Sequence, residues 1–368
     1  MYLIVGAGLS GIVIAERLAK LKNEKVLIID KRKHIGGNIY DYLDDNGILV
    51  HKYGPHAFHT NSKKVWDYLS QFTEWHYYSH RVKAIVDGKE VSLPFNLDSM
   101  QALFSPNFFN TLELKLVKRF GYGKRVTISN LKETDDNELN YLANYIYDKI
   151  YVGYTMKQWG LKPEDLDDSV TSRVPILINR DDRYFQDIYQ GIPKNGYTAM
   201  AENMLNHENI EVSLNTAYDE VGKDKFKKIF YTGMIDEYFN FRFGELPYRS
   251  LSFDIRSFDQ PYYQSCAQIN YPTSYDFTRI TEFKHFLDHK SDCSTIAIEY
   301  PQPFKNGVNV PYYPIPNEES RFLYKKYKEI TDKEEGVIFL GRLADYQYYN
   351  MDQIVARALK IFEDNFVK

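Results

Sequence analysis

Apolar residues fill positions 2–5, and the chain then turns through "GAGLSG" into residues 10–21. There Ile12, Ile14, Ala15, Leu18 and Leu21 recur at the spacing of a helix with one buried stripe. A second apolar run, "KVLII" at residues 25–29, reads as a strand buried on both faces. Strand, glycine turn, helix and strand in that order predict a βαβ unit with a right-handed crossover. Farther along, "HKYGPHAFHTNSKKVWDYL" is a histidine-rich loop running into a helix, and "RVKAIVDGKEVSLPF" places Asp87-Gly88 at the tip of a hairpin. From residue 96 to 168 glycines are few, and Leu139, Leu142, Ile146 and Ile150 fall three or four apart, predicting helices. Residues 245–300 alternate, as in "LSFDIRSF" and "STIAIEY", and predict antiparallel strands. The pattern returns to strand, turn and helix in "GVIFLGRLADYQYYNMDQIVARALKIF".

These elements predict an α/β protein. Its Rossmann-like nucleotide-binding domain is discontinuous, covering residues 1–80, 190–244 and 315–368, with an inserted helical domain at 96–168. An antiparallel sheet domain bearing the substrate takes 81–95, 169–189 and 245–314. A length of 368 residues suits two or three such units.

Composition removes several function classes. Lys and Arg total 46 against 50 Asp and Glu, so no overall charge favours nucleic acid or an acidic membrane. Two cysteines, Cys266 and Cys293, make neither a disulfide framework nor a zinc site; no metal is expected, and a reducing cytoplasm is. No window approaches the roughly 18 apolar residues of a membrane span, and no basic leader precedes the first strand, so a protein that is neither exported nor membrane-bound is expected.

Gly6, Gly8 and Gly11 match G-x-G-x-x-G, whose glycines permit a sharp turn, close approach to a pyrophosphate, and tight helix-on-strand packing. The helix that follows offers free N–H groups and partial positive charge to phosphates. Asp30, with Lys31 beside it, ends the second strand, where a carboxylate can accept the hydroxyls of an adenosine ribose. A second pair, Gly36 and Gly37 before Asn38 in "HIGGN", allows another close backbone approach, and "KKIFYTG" ends a later strand at Thr232-Gly233. Together these favour FAD over NAD. Gly341-Arg342 ends the last predicted strand, where ligands of doubly wound sheets sit, and the helix starting near Asn350 and Met351 points its N-terminus toward the flavin. Taken alone, Arg342 reads more simply as half of a surface salt bridge beside an ordinary capped helix.

The ordered set "HIGGN", "HKYGPHAFHT", "LPFN", "GYTMKQWG", "YFQDIYQGIPKNGYT", "YRSL", "FTRITEFKHF", "PYYPI" and "GRLADYQYY" resembles the bacterial UDP-galactopyranose mutases from residue 2 to about residue 360. The resemblance implies an isomerase that interconverts UDP-galactopyranose and UDP-galactofuranose, with N5 of reduced FAD as nucleophile toward the anomeric carbon. It further implies that Arg279 in "FTRI" and Arg342 in "GRLA" neutralise the diphosphate, and that Tyr184, Tyr313 and Tyr348 hydrogen-bond it. Tyr154 and Trp159 would contact the uridine, Arg173 would sit on a mobile loop, and His56 and His59 would face the flavin, along with Arg342 and Tyr348. An external reductant such as NAD(P)H, a homodimer, and a supply of galactofuranose for cell-surface polysaccharide are implied as well. Without the resemblance, any one of 32 tyrosines is more simply structural, Trp159 a core residue, and the histidines hydrogen-bonded loop residues.

Three positions depart from the family pattern: Asn350 where Asp is common, Leu177 where Arg is common, and "DKIYV" before "GYT". The readings left open are the same chemistry on UDP-N-acetylgalactosamine, a flavin oxidoreductase of the amine-oxidase type, and a non-catalytic flavin or nucleotide sensor.

Overall fold

The computed structural model describes residues 1–166, 175–287 and 289–367. They form two compact units: Met1–Tyr78 with Asp187–Tyr248 and Asn306–Lys368, and Ser79–Gln186 with Arg249–Lys305.

The first unit is built on an all-parallel sheet in the order Ile210–Leu214, Val26–Asp30, Tyr2–Val5, Ile229–Tyr231, Val337–Phe339. The expected βαβ unit is present, its helix spanning Leu9–Lys22 and packing on the C-terminal helix Met351–Phe366 and on Gly196–Leu205. The three inner strands are buried on both faces, as continuous apolar runs require, while the edge strand Ile210–Leu214 is partly exposed. Leu3, Ile29 and Ile229 form a core with Tyr218, Val221 and Phe226, while Ile4, one step along the pleat, is fully buried on the other face. A smaller antiparallel sheet joins Phe58–Thr60, Tyr189–Pro193 and Trp75–His76, and it fixes His59 opposite Gln190.

In the second unit Val82–Val86 and Lys89–Leu93 pair as the expected hairpin, with Asp87 at φ 47° and Gly88 at φ 78° in the turn. The adjoining strands run Gln268–Asn270, Arg279–Glu282, Ser294–Pro303, Tyr248–Phe258; all neighbours are antiparallel except Gln268–Asn270 against Val82–Val86. The helices of residues 97–152 share one core with the hairpin: Leu112, Leu116, Leu139, Leu142 and Ile146 pack with Val82, Ala84, Val91 and Leu93. Helices and strands read from the sequence as separate domains therefore bury their apolar faces against each other.

The last helical run is continuous but changes pitch. Asn137–Ile146 is α-helical, Tyr147–Val152 is a π-turn, and Gly153–Trp159 is α-helical again, closing at Gly160 in the left-handed conformation. Such widened turns cost hydrogen-bond geometry and concentrate at functional sites. This one immediately precedes "GYTMKQW".

Candidate functional site

The first unit encloses a cavity of about 710 Å³ at the carboxyl ends of its parallel strands, lined by both glycine clusters. Of the residues expected to hold a dinucleotide, Gly6, Gly8, Asp30, Lys31, Gly36, Gly37, Asn38, His56, Thr232, Gly233, Gly341, Arg342 and Met351 line it. Gly11 lies behind the wall, where the helix packs on its strand. The two clusters touch: Gly36 N donates to Ala7 O at 2.8 Å, and a Cβ on Gly37, at φ +57°, would stand 2.8 Å from Gly8 Cα. Only paired glycines allow both turns to face one ligand.

Asp30 accepts from the N–H of Ala7 and of Arg32, both at 2.8 Å, so each oxygen keeps capacity for one ligand hydroxyl. Arg32 lies over the Tyr53 ring at 4.6 Å and donates through Nη2 to Asn38 Oδ1 at 2.9 Å, leaving its buried Nη1 without a hydrogen-bond partner among the described residues. An orphaned guanidinium donor in the cavity wall, beside a helix N-terminus and a carboxylate, is a donor set that fits a dinucleotide.

Thr232 Oγ1 donates to Val5 O at 2.8 Å, tying two strand ends together at the cavity floor. His56 Nδ1 stands 2.7 Å from Gly54 O, an acceptor, so the ring proton belongs on Nδ1. His59 is not in the cavity lining; its Nδ1 is 2.5 Å from Asp187 Oδ2, and Asn61 holds the other oxygen of that carboxylate. Asn350 also lies outside the lining; its N–H donates to Gln353 Oε1 at 2.8 Å at the start of the C-terminal helix.

Arg342 sits at the edge of the cavity between two tyrosines. Its guanidinium carbon is 5.2 Å from the Tyr348 ring and 5.6 Å from the Tyr313 ring, and those rings stack at 5.4 Å. Its hydrogen bonds go to backbone carbonyls, Tyr349 O at 2.6 Å and Tyr312 O at 3.3 Å. No carboxylate is paired with it among the described residues; the nearby Asp345 is taken by Arg357. The salt-bridge alternative is thus not what the fold adopts.

The second unit carries the other candidates. Arg279 donates through Nε and Nη2 to Glu299 Oε2 at 2.8 and 2.6 Å. Trp159 is 8 % exposed at the end of its helix, with Tyr154 on the same helix. Tyr184 packs edge-on to Phe185 at 4.9 Å and to His80 at 6.0 Å, against the shared core. Leu177 is buried in a short strand opposite Arg125. Arg173 lies outside the described residues. Among the described residues no cluster could hold a metal ion, and no helix is long and apolar enough to cross a membrane.

Residues 149–348 match the sequence model of the family described as UDP-galactopyranose mutase, and residues 4–72 match that of an NAD(P)-binding Rossmann-like domain. A probable UDP-galactopyranose mutase of Klebsiella pneumoniae is 37% identical over 98% of this chain and 94% of its own. The chain belongs to the UDP-galactopyranose mutase family. The family resemblance read from the ordered motifs therefore holds, and with it an isomerase on a Rossmann-like fold. A dTDP-fucopyranose mutase of Escherichia coli is 35% identical over 97% of this chain and 96% of its own, so the same scaffold serves a second nucleotide sugar. The fold is also that of a solved structure described as reduced UDP-galactopyranose mutase, at a TM-score of 0.75, 15% identity, and coverage of 99% of this chain and 95% of that one.

Within this mutase-family fold, sequence reasoning missed part of the cavity wall. Residues 216–219 and 221–223, Tyr238 and Tyr312 line it, with Lys223 Nζ 4.7 Å from the Tyr238 ring. The available signal was positional: Thr216 follows the strand Ile210–Leu214, whose end opens on the same edge of the sheet. Arg32, two residues after Asp30, was in plain view, but an arginine after a strand carries no distinctive pattern.

Proposed function

We propose that this chain interconverts UDP-galactopyranose and UDP-galactofuranose, with FAD in the glycine-lined cavity and active when reduced. The observation that carries this reading is Arg342, a guanidinium aimed by two carbonyls, flanked by Tyr313 and Tyr348, and lacking any carboxylate partner among the described residues. A cation held in place without an anion is prepared for one that arrives with the substrate.

When bound, reduced FAD supplies an electron-rich nitrogen as nucleophile for the anomeric carbon. Everything else falls to the protein. Arg342 meets the negative charge that grows on a departing diphosphate, and the Tyr313 and Tyr348 hydroxyls donate to the same oxygens. Arg279 adds a second cation, its charge shared with Glu299. Trp159 and Tyr154 take the uridine, and Tyr184 the phosphates. The glycine clusters and Asp30 retain the cofactor, and His56 lines the same cavity. NAD(P)H as reductant, a homodimer and a cytoplasmic location complete the reading.

The test is a substrate panel with dithionite-reduced protein: UDP-galactofuranose, its N-acetylated counterpart and a dTDP-fucofuranose, each assayed for ring size. Conversion of the first with the highest kcat/KM is expected. Preference for the dTDP sugar overturns the substrate assignment. Flavin reduction by a small amine without any UDP requirement overturns the isomerase reading itself.

A further inference from the structure

Two cations in the second unit hold the helix Gly153–Trp159, and neither is paired with a carboxylate among the described residues. Lys157 Nζ donates to the carbonyls of Tyr271, of Phe277 at 3.0 Å and of Tyr275 at 3.2 Å. An ammonium has three N–H donors, so the set is complete. Burial pulls this amine down to about 8, opposed by Asp276. Arg249, only 8 % exposed, donates through Nε to Gln158 O at 2.9 Å and through Nη2 to Lys157 O at 3.0 Å. These carbonyls belong to the last turn, which has no intrahelical donors of its own, and the positive charge sits where the helix dipole is negative.

The helix also lies directly on the loop that Lys157 grips. A Cβ on Gly153 would come within 2.3 Å of Pro272 O, so only glycine permits the approach. That loop, residues 271–278, runs straight into Arg279. Its last residue, Thr278, donates through Oγ1 to Glu299 Oε1 at 2.9 Å, the carboxylate that also orients the Arg279 guanidinium. A chain of direct bonds thus leads from the helix carrying Trp159 to Arg279.

We propose that Lys157 and Arg249 are positioning residues for nucleotide binding: Lys157 locks the Trp159-bearing helix to the loop ending at Arg279, and Arg249 anchors the end of that helix to the strand Tyr248–Phe258, so that aromatic ring and guanidinium meet a uridine diphosphate as one preassembled surface. This rests on the reading above that Trp159 and Arg279 contact the nucleotide. Without the lock, the nucleotide itself must order the helix on the loop, and that ordering is subtracted from its affinity. Chemistry at the sugar, once the nucleotide is seated, is unaffected. The lock therefore governs Kd and KM and leaves kcat largely alone.

The experiment is calorimetric titration of UDP into the FAD-loaded full chain, wild type against Lys157→Met and Lys157→Arg, with steady-state kinetics on the same preparations. Lys157→Met is expected to weaken UDP binding and raise KM by on the order of tenfold, with kcat, flavin absorbance and FAD content preserved. Lys157→Arg, which keeps charge and donors, recovers part of the affinity. A merely destabilised protein would instead lower the active fraction, and so apparent kcat, at unchanged Kd. If Lys157→Met does not fold, Lys157→Gln carries the same expectation, and so does Arg249→Lys at the other end of the lock. Wild-type affinity in a folded variant overturns the proposal. Wild-type protein that binds no UDP overturns the substrate reading beneath it.

Discussion

Arg342 and Arg279 are both candidate phosphate ligands, yet their surroundings predict different costs of removal. Arg342 is met by carbonyl oxygens, so Arg342→Ala strands no buried anion. It should melt near the wild-type temperature and lose about 2 to 4 kcal/mol of transition-state stabilisation, as a typical anion-stabilising donor does. Unchanged kcat would remove Arg342 from the diphosphate. Arg279, 17 % exposed at its side chain, covers Glu299 at 1 %. Arg279→Ala should therefore cost stability as well as turnover, by about 3 kcal/mol, because it leaves a buried carboxylate unpaired. Equal melting of the two variants would contradict this distinction. Asp236 makes a third prediction. Burial raises its carboxyl from 3.8 to about 6, and its Oδ1 has no hydrogen-bond partner among the described residues. The folded state thus holds a proton that the unfolded chain has released between those values, so this group's penalty appears as pH rises from about 4 to 6 and is fully present at neutrality. Asp236→Asn keeps an acceptor for Leu246 N–H and should gain on the order of 2 kcal/mol above pH 6 but little at pH 4, read from thermal melts. A stability difference independent of pH would contradict it.

At the scale of elements, the two glycine turns make the sharpest claim. Gly37→Ala puts a Cβ into the Gly8 backbone at a φ unfavourable to alanine, so the variant should fold but purify with most of its FAD lost, measured by flavin absorbance per protein. Full flavin content would show that the close approach is not needed. The same turns mark what was legible in the sequence. The βαβ unit, the Asp87-Gly88 hairpin, the last strand and the C-terminal helix follow from periodicity and turn chemistry, which act within a few residues. The union of residues 97–152 with the hairpin 82–93 does not, since periodicity says which face of Leu139 or Val91 is buried and is silent about what covers it. The π-turn at Tyr147–Val152 was equally hidden, because one widened turn leaves the apolar spacing almost intact. Residues 216–219 and 221–223 escaped because a cavity wall of mixed polarity has no period at all.

For the whole molecule, one polypeptide leaves and re-enters the parallel-sheet unit twice, so dinucleotide site and Arg342 are assembled from segments more than three hundred residues apart in sequence. The ordered motifs spanned that distance where local patterns could not. What they left open among sugars is galactose against N-acetylgalactosamine, a difference of a few atoms, and two relatives of nearly equal identity, one named for a UDP sugar and one for a dTDP sugar, add the nucleotide to that question. The central proposal is that an electron-rich flavin works on a nucleotide sugar with no net redox change. Its most direct test is chromatography of sugar ring size after incubating UDP-galactofuranose with the same preparation, dithionite-reduced and fully oxidised. Conversion to the pyranose by reduced protein alone is the predicted result, and equal conversion by oxidised protein would contradict it.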